Sequence, residues 1–201
     1  AKGKLEESLV NAGKVLHSSV KDTSRRTLEE AKAMELESLK NKEVYEEVYE
    51  HDVDQTEGVI TGRWVITNPS PESFKARYVL RGFEERVQEN EDVFSGTTQP
   101  TSVRILLAHA VEKFEKGMRA YTADVKTAFL HANMAESECV YAQPPDEWRP
   151  EYLTDDSSRQ VIWKLKKSLY GLRSAPRRWQ DHFENLIGKI GFVHCLKEPC
   201  L

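Results

Sequence analysis

Between Gly58 and Phe83 the chain carries two runs rich in β-branched and aromatic residues, "GVITGRWVITN" and "SFKARYVLRGF", parted only by "NPSPE". Such side chains suit a pleated, half-buried surface, and the insert between them is turn chemistry. The pair is predicted to fold back as a β-hairpin whose return strand carries Lys75, Arg77 and Arg81. The rest of the fold has to be arranged around that hairpin.

Helical signals lie on both sides of it. Thr27 followed by Glu30 matches a capping box, and Leu28, Ala31, Met34, Glu35 and Leu39 trace a mostly apolar stripe. A helix over 27–41 follows, open to running on into the acidic residues beyond it. "SVRILLAHAVEKFEKG" predicts a second amphipathic helix ending at Gly117. "MRAYTADV" then reads as a short strand that delivers Asp124, and "KTAFLHANM" as a turn or short helix. "CVYAQPP" and "QVIWKLKK" read as two more strands. Pro176 sits in the first turn of a last helix, with Trp179, Phe183, Leu186, Ile187 and Ile190 on one face and a stop at Gly191. The order predicts an α+β fold rather than regular βαβ alternation. Residues 1–22 are weakly periodic and read as a loose helix or a disordered lead-in.

The 201 residues suit one large domain, or one domain plus an extension. The expected division is an acidic, helical extension over 1–57 and a main domain over 58–201. No apolar run approaches the ~18 residues a membrane span needs, and the first residues lack a signal-peptide core. Three cysteines, Cys139, Cys195 and Cys200, are an odd number without metal-ligand spacing and read as free thiols in a reducing compartment. An intracellular location, cytoplasmic or nuclear and away from membranes, is the corresponding expectation. The net charge of −4 conceals an asymmetry. Glu43–Glu57 holds seven acids and no Lys or Arg, whereas Arg159–Trp179 holds seven bases and no acid. The bases alternate with Trp163, Tyr170 and Trp179, which suits a surface following a phosphate backbone or a triphosphate.

Asp124 stands between two apolar patches, "AYTA" and "AFL". A carboxylate there either caps a helix or holds a metal ion whose other ligands come from elsewhere.

Four ordered blocks resemble the reverse transcriptase of copia-type retrotransposons: "FKARYVLRGF", "TSVRILLAHAV", "ADVKTAFLHANM" and "WKLKKSLYGLRSAPRRW". The resemblance covers roughly residues 60–201 and implies an RNA-directed DNA polymerase with right-hand architecture. Its fingers would include the 58–83 hairpin, and part of its palm would surround Asp124. It further implies two Mg²⁺ or Mn²⁺ ions, a primed RNA or DNA template, an incoming dNTP, and a polyprotein supplying the remaining segments.

By the family pattern Asp124 is the catalytic carboxylate that binds both ions, with the Val125 carbonyl as a further ligand. Phe129 matches a steric gate that excludes a ribose 2′-hydroxyl; the competing reading is plain core packing. Arg77 matches a residue that grips the triphosphate, and Lys75, two residues earlier, is a candidate for the same task or a solvated lysine. Tyr170 and Gly171 would lie beside the incoming nucleotide and template base, Gly171 allowing close backbone approach or simply making a turn. Arg173, Arg177 and Arg178 either contact the template–primer backbone or are surface charges on a helix.

The family's second motif, a hairpin with two adjacent aspartates, has no match. The adjacent pair Asp155 and Asp156 lies in a polar loop ahead of the 161–168 strand, in the wrong order and context. The expectation is therefore a domain cut short of that motif, with little or no polymerase activity on its own. The alternatives are a non-catalytic nucleic-acid-binding remnant using the basic 159–179 surface, or an interaction protein using the acidic N-terminal region.

Overall fold

Thr27 opens the first helix as its spacing requires. Its Oγ1 accepts from the Glu30 N–H (3.2 Å), while the Glu30 carboxylate accepts from the Thr27 N–H (2.8 Å), completing the capping box. A computed structural model describes residues 25–53, 57–86, 93–135, 138–150, 161–193 and 195. The 1–22 segment and the Asp155–Asp156 pair lie outside the described residues.

Helix α1 (Leu28–Asn41) ends where Glu43 takes a left-handed conformation, φ 51°. The acidic stretch beyond it corrects one expectation, since it forms strand β1 (Tyr45–Tyr49) instead of prolonging the helix. The cause lies more than a hundred residues later. β1 pairs antiparallel along its whole length with β6 (Val161–Leu165), and Glu46 meets Lys164 across the ladder at 3.1 Å. β2 (Val59–Ile60) pairs parallel with β5 (Tyr141–Ala142), and β5 pairs antiparallel with β6, giving a sheet ordered β1-β6-β5-β2.

The expected hairpin forms as β3 (Gly62–Ser70) and β4 (Ser73–Leu80), with Trp64 opposite Tyr78 and Val65 opposite Arg77. Three alternate N–H groups on its outer edge are answered by other segments. Phe74 donates to the Arg26 carbonyl (3.1 Å), Tyr78 to the Glu35 carboxylate of α1, and Leu80 to the Tyr170 carbonyl (2.8 Å). A strand edge left bare would be a site for aggregation; at these three positions the edge is covered.

One aromatic cluster joins hairpin and sheet. Trp163, with no exposed surface, stacks on Tyr45 at 4.1 Å and receives the edges of Tyr78 and Trp148 at 5.8 and 5.6 Å. The Tyr78 hydroxyl donates to the Gln143 carbonyl at 2.7 Å, so the ring is buried with its polar end satisfied.

Helix α2 (Pro100–Glu112) continues as a short 3₁₀ turn, Phe114–Lys116, and stops at Gly117, φ +88°. Its expected apolar face is present, but no residue of the helix is buried. The strand expected over 118–125 does not form: these residues have no regular secondary structure and pair with no described segment. Helix α3 (Ala175–Gly188) carries Pro176 in its first turn as expected, and Gly191, φ +96°, ends the turn after it.

Candidate functional site

Arg77, Phe129 and Tyr170 come from three well-separated segments and meet. On β4 the Arg77 guanidinium lies over the Tyr170 ring, 6.0 Å from its centroid. Phe129 meets the same ring at 6.2 Å and 62°. Thr127, in a left-handed conformation, turns the chain into the 3₁₀ turn Ala128–His131. That turn sends Leu130 fully into the core and leaves Phe129 half-buried beside Tyr170. Phe129 thus combines core packing with one face toward the cluster. Lys75 is exposed two residues before Arg77, on the same side of the strand.

The electrostatics follow from burial. Tyr170 is pushed up to about 12, chiefly by desolvation, with the Glu35 charge adding and Arg77 opposing. Glu35 itself is 9% exposed, with one carboxylate oxygen unpartnered. Burial raises its pKa above the usual carboxylate value, against the Tyr78 N–H and the charges of Arg77, Lys75 and Lys42. In the sequence Glu35 falls within the apolar stripe of α1, where the pattern assigns it no role. An acid at a core-facing helix position was the available signal.

Gly171 has φ +93°, and a Cβ on it would lie 2.1 Å from the Leu80 carbonyl oxygen. A Cβ on Gly82 would lie 2.0 Å from the Gly171 carbonyl oxygen. Gly171 therefore both makes a turn and permits close approach, here to the end of β4.

The three arginines differ. Arg173 has an exposed side chain. Arg177 pairs with Asp181 at 3.1 Å along α3. Arg178, its side chain 14% exposed, pairs with Glu138 at 2.9 Å and lies 4.0 Å from Glu85. Arg178 is thus tied into the chain's own acids, and of the three Arg173 is the most open to a phosphate backbone.

Asp124 and Val125 are exposed in the irregular 118–125 stretch, and Asp124 forms no ion pair or hydrogen bond among the described residues. The same residues hold no group of three or more His, Cys, Asp or Glu arranged for a metal ion. No helix among them is long and apolar enough to cross a membrane.

Comparison with known proteins agrees with the blocks that build this cluster. Residues 43–199 match the family model described as reverse transcriptase (RNA-dependent DNA polymerase). The chain is 31% identical over 129 residues to the retrovirus-related Pol polyprotein from transposon TNT 1-94 of Nicotiana tabacum, covering 64% of this chain and 9% of that protein. It is 32% identical over 152 residues to the corresponding polyprotein from transposon RE1 of Arabidopsis thaliana, covering 71% of this chain and 10% of that protein. The putative transposon Ty5-1 protein of Saccharomyces cerevisiae is 40% identical over 72 residues, 34% of this chain and 20% of that protein. No solved structure matches. The chain spans about a tenth of the length of the two plant polyproteins. It belongs to the reverse transcriptase (RNA-dependent DNA polymerase) family, as a domain of the copia-type transposon polyproteins.

Proposed function

We propose that this chain forms the fingers and the first part of the palm of a right-hand polymerase. In this reading the Arg77–Tyr170–Phe129 cluster receives the incoming dNTP during template-directed extension of a primer on RNA or DNA. The observation that carries it is the convergence of those three side chains from segments some fifty and forty residues apart. A guanidinium beside two half-buried rings suits a ligand with an anionic end and a flat, partly apolar body. Arg77 offers a planar fork of donors to phosphate oxygens, with Lys75 as a second cation on the same face. Tyr170 and Phe129 offer ring surface to sugar and base, and Phe129, by the family pattern, would oppose a ribose 2′-hydroxyl. Gly171 sets the loop close to β4, and Arg173 is the cation best placed for the template–primer backbone.

The family reaction uses divalent ions such as Mg²⁺, which supply charge neutralisation and activation of the primer oxygen. Asp124 and the Val125 carbonyl are this chain's contribution to holding them. The described residues alone do not amount to a site for a pair of ions. The functional division into an extension over 1–57 and a polymerase portion over 58–201 belongs to the same proposal.

Binding of dTTP to the full chain, measured by calorimetry, tests the reading. Loss of a charge-assisted contact is worth ~1.5–3 kcal/mol, so Arg77→Ala is expected to weaken binding at least about tenfold. Phe129→Ala is expected to narrow the preference for dTTP over UTP. An Arg77→Ala chain that binds dTTP as tightly as the parent would refute the assignment.

A further inference from the structure

Among the described residues Glu85, 8% exposed, is a buried charge like Glu35, and no hydrogen bond or ion pair links it to the three side chains of the nucleotide cluster. It follows the 3₁₀ turn Gly82–Glu84 that ends the hairpin. Its neighbour Glu84 points back to β2–β3, accepting from the Thr61 N–H at 2.7 Å and the Thr61 hydroxyl at 2.9 Å. Glu85 faces the opposite way. One of its oxygens accepts from the Arg173 N–H and the other from the Ser174 hydroxyl, each at 2.5 Å. Arg178, one turn into α3, completes the charge balance at 4.0 Å while holding Glu138.

Ser174 is the residue that opens α3, but its hydroxyl caps nothing in its own helix. It donates to Glu85 instead, and accepts from the Arg178 guanidinium. A carboxylate with both oxygens engaged defines a direction as well as a distance, and buried charge-assisted bonds of this kind are short and strong. The loop before α3 is therefore pinned twice by a single six-residue stretch. Leu80 holds its start through the Tyr170 carbonyl, and Glu85 holds its end. Between the pins lies the Gly82–Gly171 crossing, where the backbones pass too closely for a Cβ on either glycine.

We propose that Glu85 is a positioning residue of the nucleotide site: it fixes residues 170–174 against the end of β4 and thereby holds the Tyr170 ring in place beside Arg77 and Phe129. The proposal rests on the reading of that cluster as the dNTP surface. Arg77 lies three residues before Leu80 on the same strand, so any slack in the loop becomes a displacement of ring against guanidinium. Without Glu85 the Arg173 N–H and Ser174 hydroxyl lose their acceptors. Arg178 keeps Glu138 and is not left unpaired.

Two measurements on the full chain test this: amide hydrogen exchange at Leu80 and Arg173, and calorimetric dTTP binding. In Glu85→Ala both amides are expected to exchange at least about tenfold faster, with dTTP binding weakened about tenfold. Glu85→Gln keeps an acceptor for the Arg173 N–H, and is expected to restore both readouts to within about threefold of the parent. Glu84→Ala, which releases Thr61 and the Arg81 guanidinium but leaves residues 170–174 held, is expected to leave both unchanged. Unchanged exchange at Leu80 and Arg173 in Glu85→Ala overturns the clamp. Should Glu85→Ala fail to fold, a folded Glu85→Gln chain with neither readout restored overturns it equally. Faster exchange with unaltered dTTP binding instead overturns the nucleotide reading of the cluster, so the two ideas fail separately.

Discussion

The region around Trp163 and the region from Pro100 to Val125 use similar apolar residues to opposite effect. In the first, Leu39, Val44, Leu130 and Trp163 are fully buried where α1, the hairpin and the four-stranded sheet meet. In the second, Leu107 is 53% exposed and Val111 76% exposed, although the helix that carries them is well formed. The difference shows which elements stand alone. A helix satisfies its backbone internally, so α2 forms with its apolar face uncovered. A strand does not, so residues 118–125, paired with no described segment, form none. The residues assigned to nucleotide contact belong to the packed region, and Asp124 to the open one.

The sharpest way to break this comparison is to truncate one large apolar side chain in each region. Trp163→Ala is expected to cost ~3–5 kcal/mol of unfolding free energy, because it empties the centre of a ring cluster joining hairpin and sheet. Leu107→Ala is expected to cost less than ~1 kcal/mol, most of its surface being in solvent already. Urea unfolding of both variants reads the difference. Equal costs would mean that α2 is packed after all.

A smaller effect is expected where the packed region meets the nucleotide cluster. Gly171→Ala puts a Cβ at φ +93° and 2.1 Å from the Leu80 carbonyl oxygen. Backbone strain and the forced shift together are worth ~2–4 kcal/mol. The accompanying loss of dTTP binding should exceed anything seen for Gly188→Ala, where a Cβ meets nothing within 4 Å. If Gly171→Ala destabilises without touching dTTP binding, the crossing is structural only.

How much of this was legible in the sequence depended on how far each signal reached. The Thr27–Glu30 box, the turn residues of the hairpin and Gly117 act over a few positions, and the elements they predicted are present. Strand β1 was not legible, because seven acids in fifteen residues argue against a strand until Val161–Leu165 arrives to pair with it. The strand expected at Asp124 failed for the converse reason: alternation supplies propensity but no partner. At the site, Arg77, Phe129 and Tyr170 were marked by resemblance to a family, not by periodicity, and their meeting is a tertiary fact. Glu35 and Glu85 escaped notice because what distinguishes them, burial against donors distant in sequence, has no local signature.

Glu35 gives a prediction whose sign depends on pH. Its folded-state pKa is raised above the ordinary 4.5 by burial, which outweighs Tyr78 N–H, Arg77, Lys75 and Lys42. The folded chain therefore binds this proton more tightly than the unfolded chain, and the ionised group opposes folding as pH rises above the ordinary value. Glu35→Gln keeps an acceptor for the Tyr78 N–H and removes the charge. It is expected to raise the melting temperature at pH 7, with the gain shrinking toward zero as pH falls below 4.5. A gain of the same size at every pH would show that packing, not charge, is responsible.

The smallest effect on stability is expected at the residue with the largest assigned chemical role. Asp124 is exposed and without an ion pair or hydrogen bond among the described residues, so Asp124→Asn removes no interaction that folding uses. Its unfolding free energy should match the parent within ~0.5 kcal/mol. A cost above that range would mean that residues 118–125 are held in a packed strand, closing the gap between the two regions. Primer extension with dTTP on a primed RNA template gives the complementary reading. Any extension by the parent chain should disappear in Asp124→Asn, since the amide lacks the charge that holds a divalent cation. Extension that survives would remove Asp124 from the reaction, whereas its loss at unchanged stability would locate the chemistry in the open region and the grip on the nucleotide in the packed one.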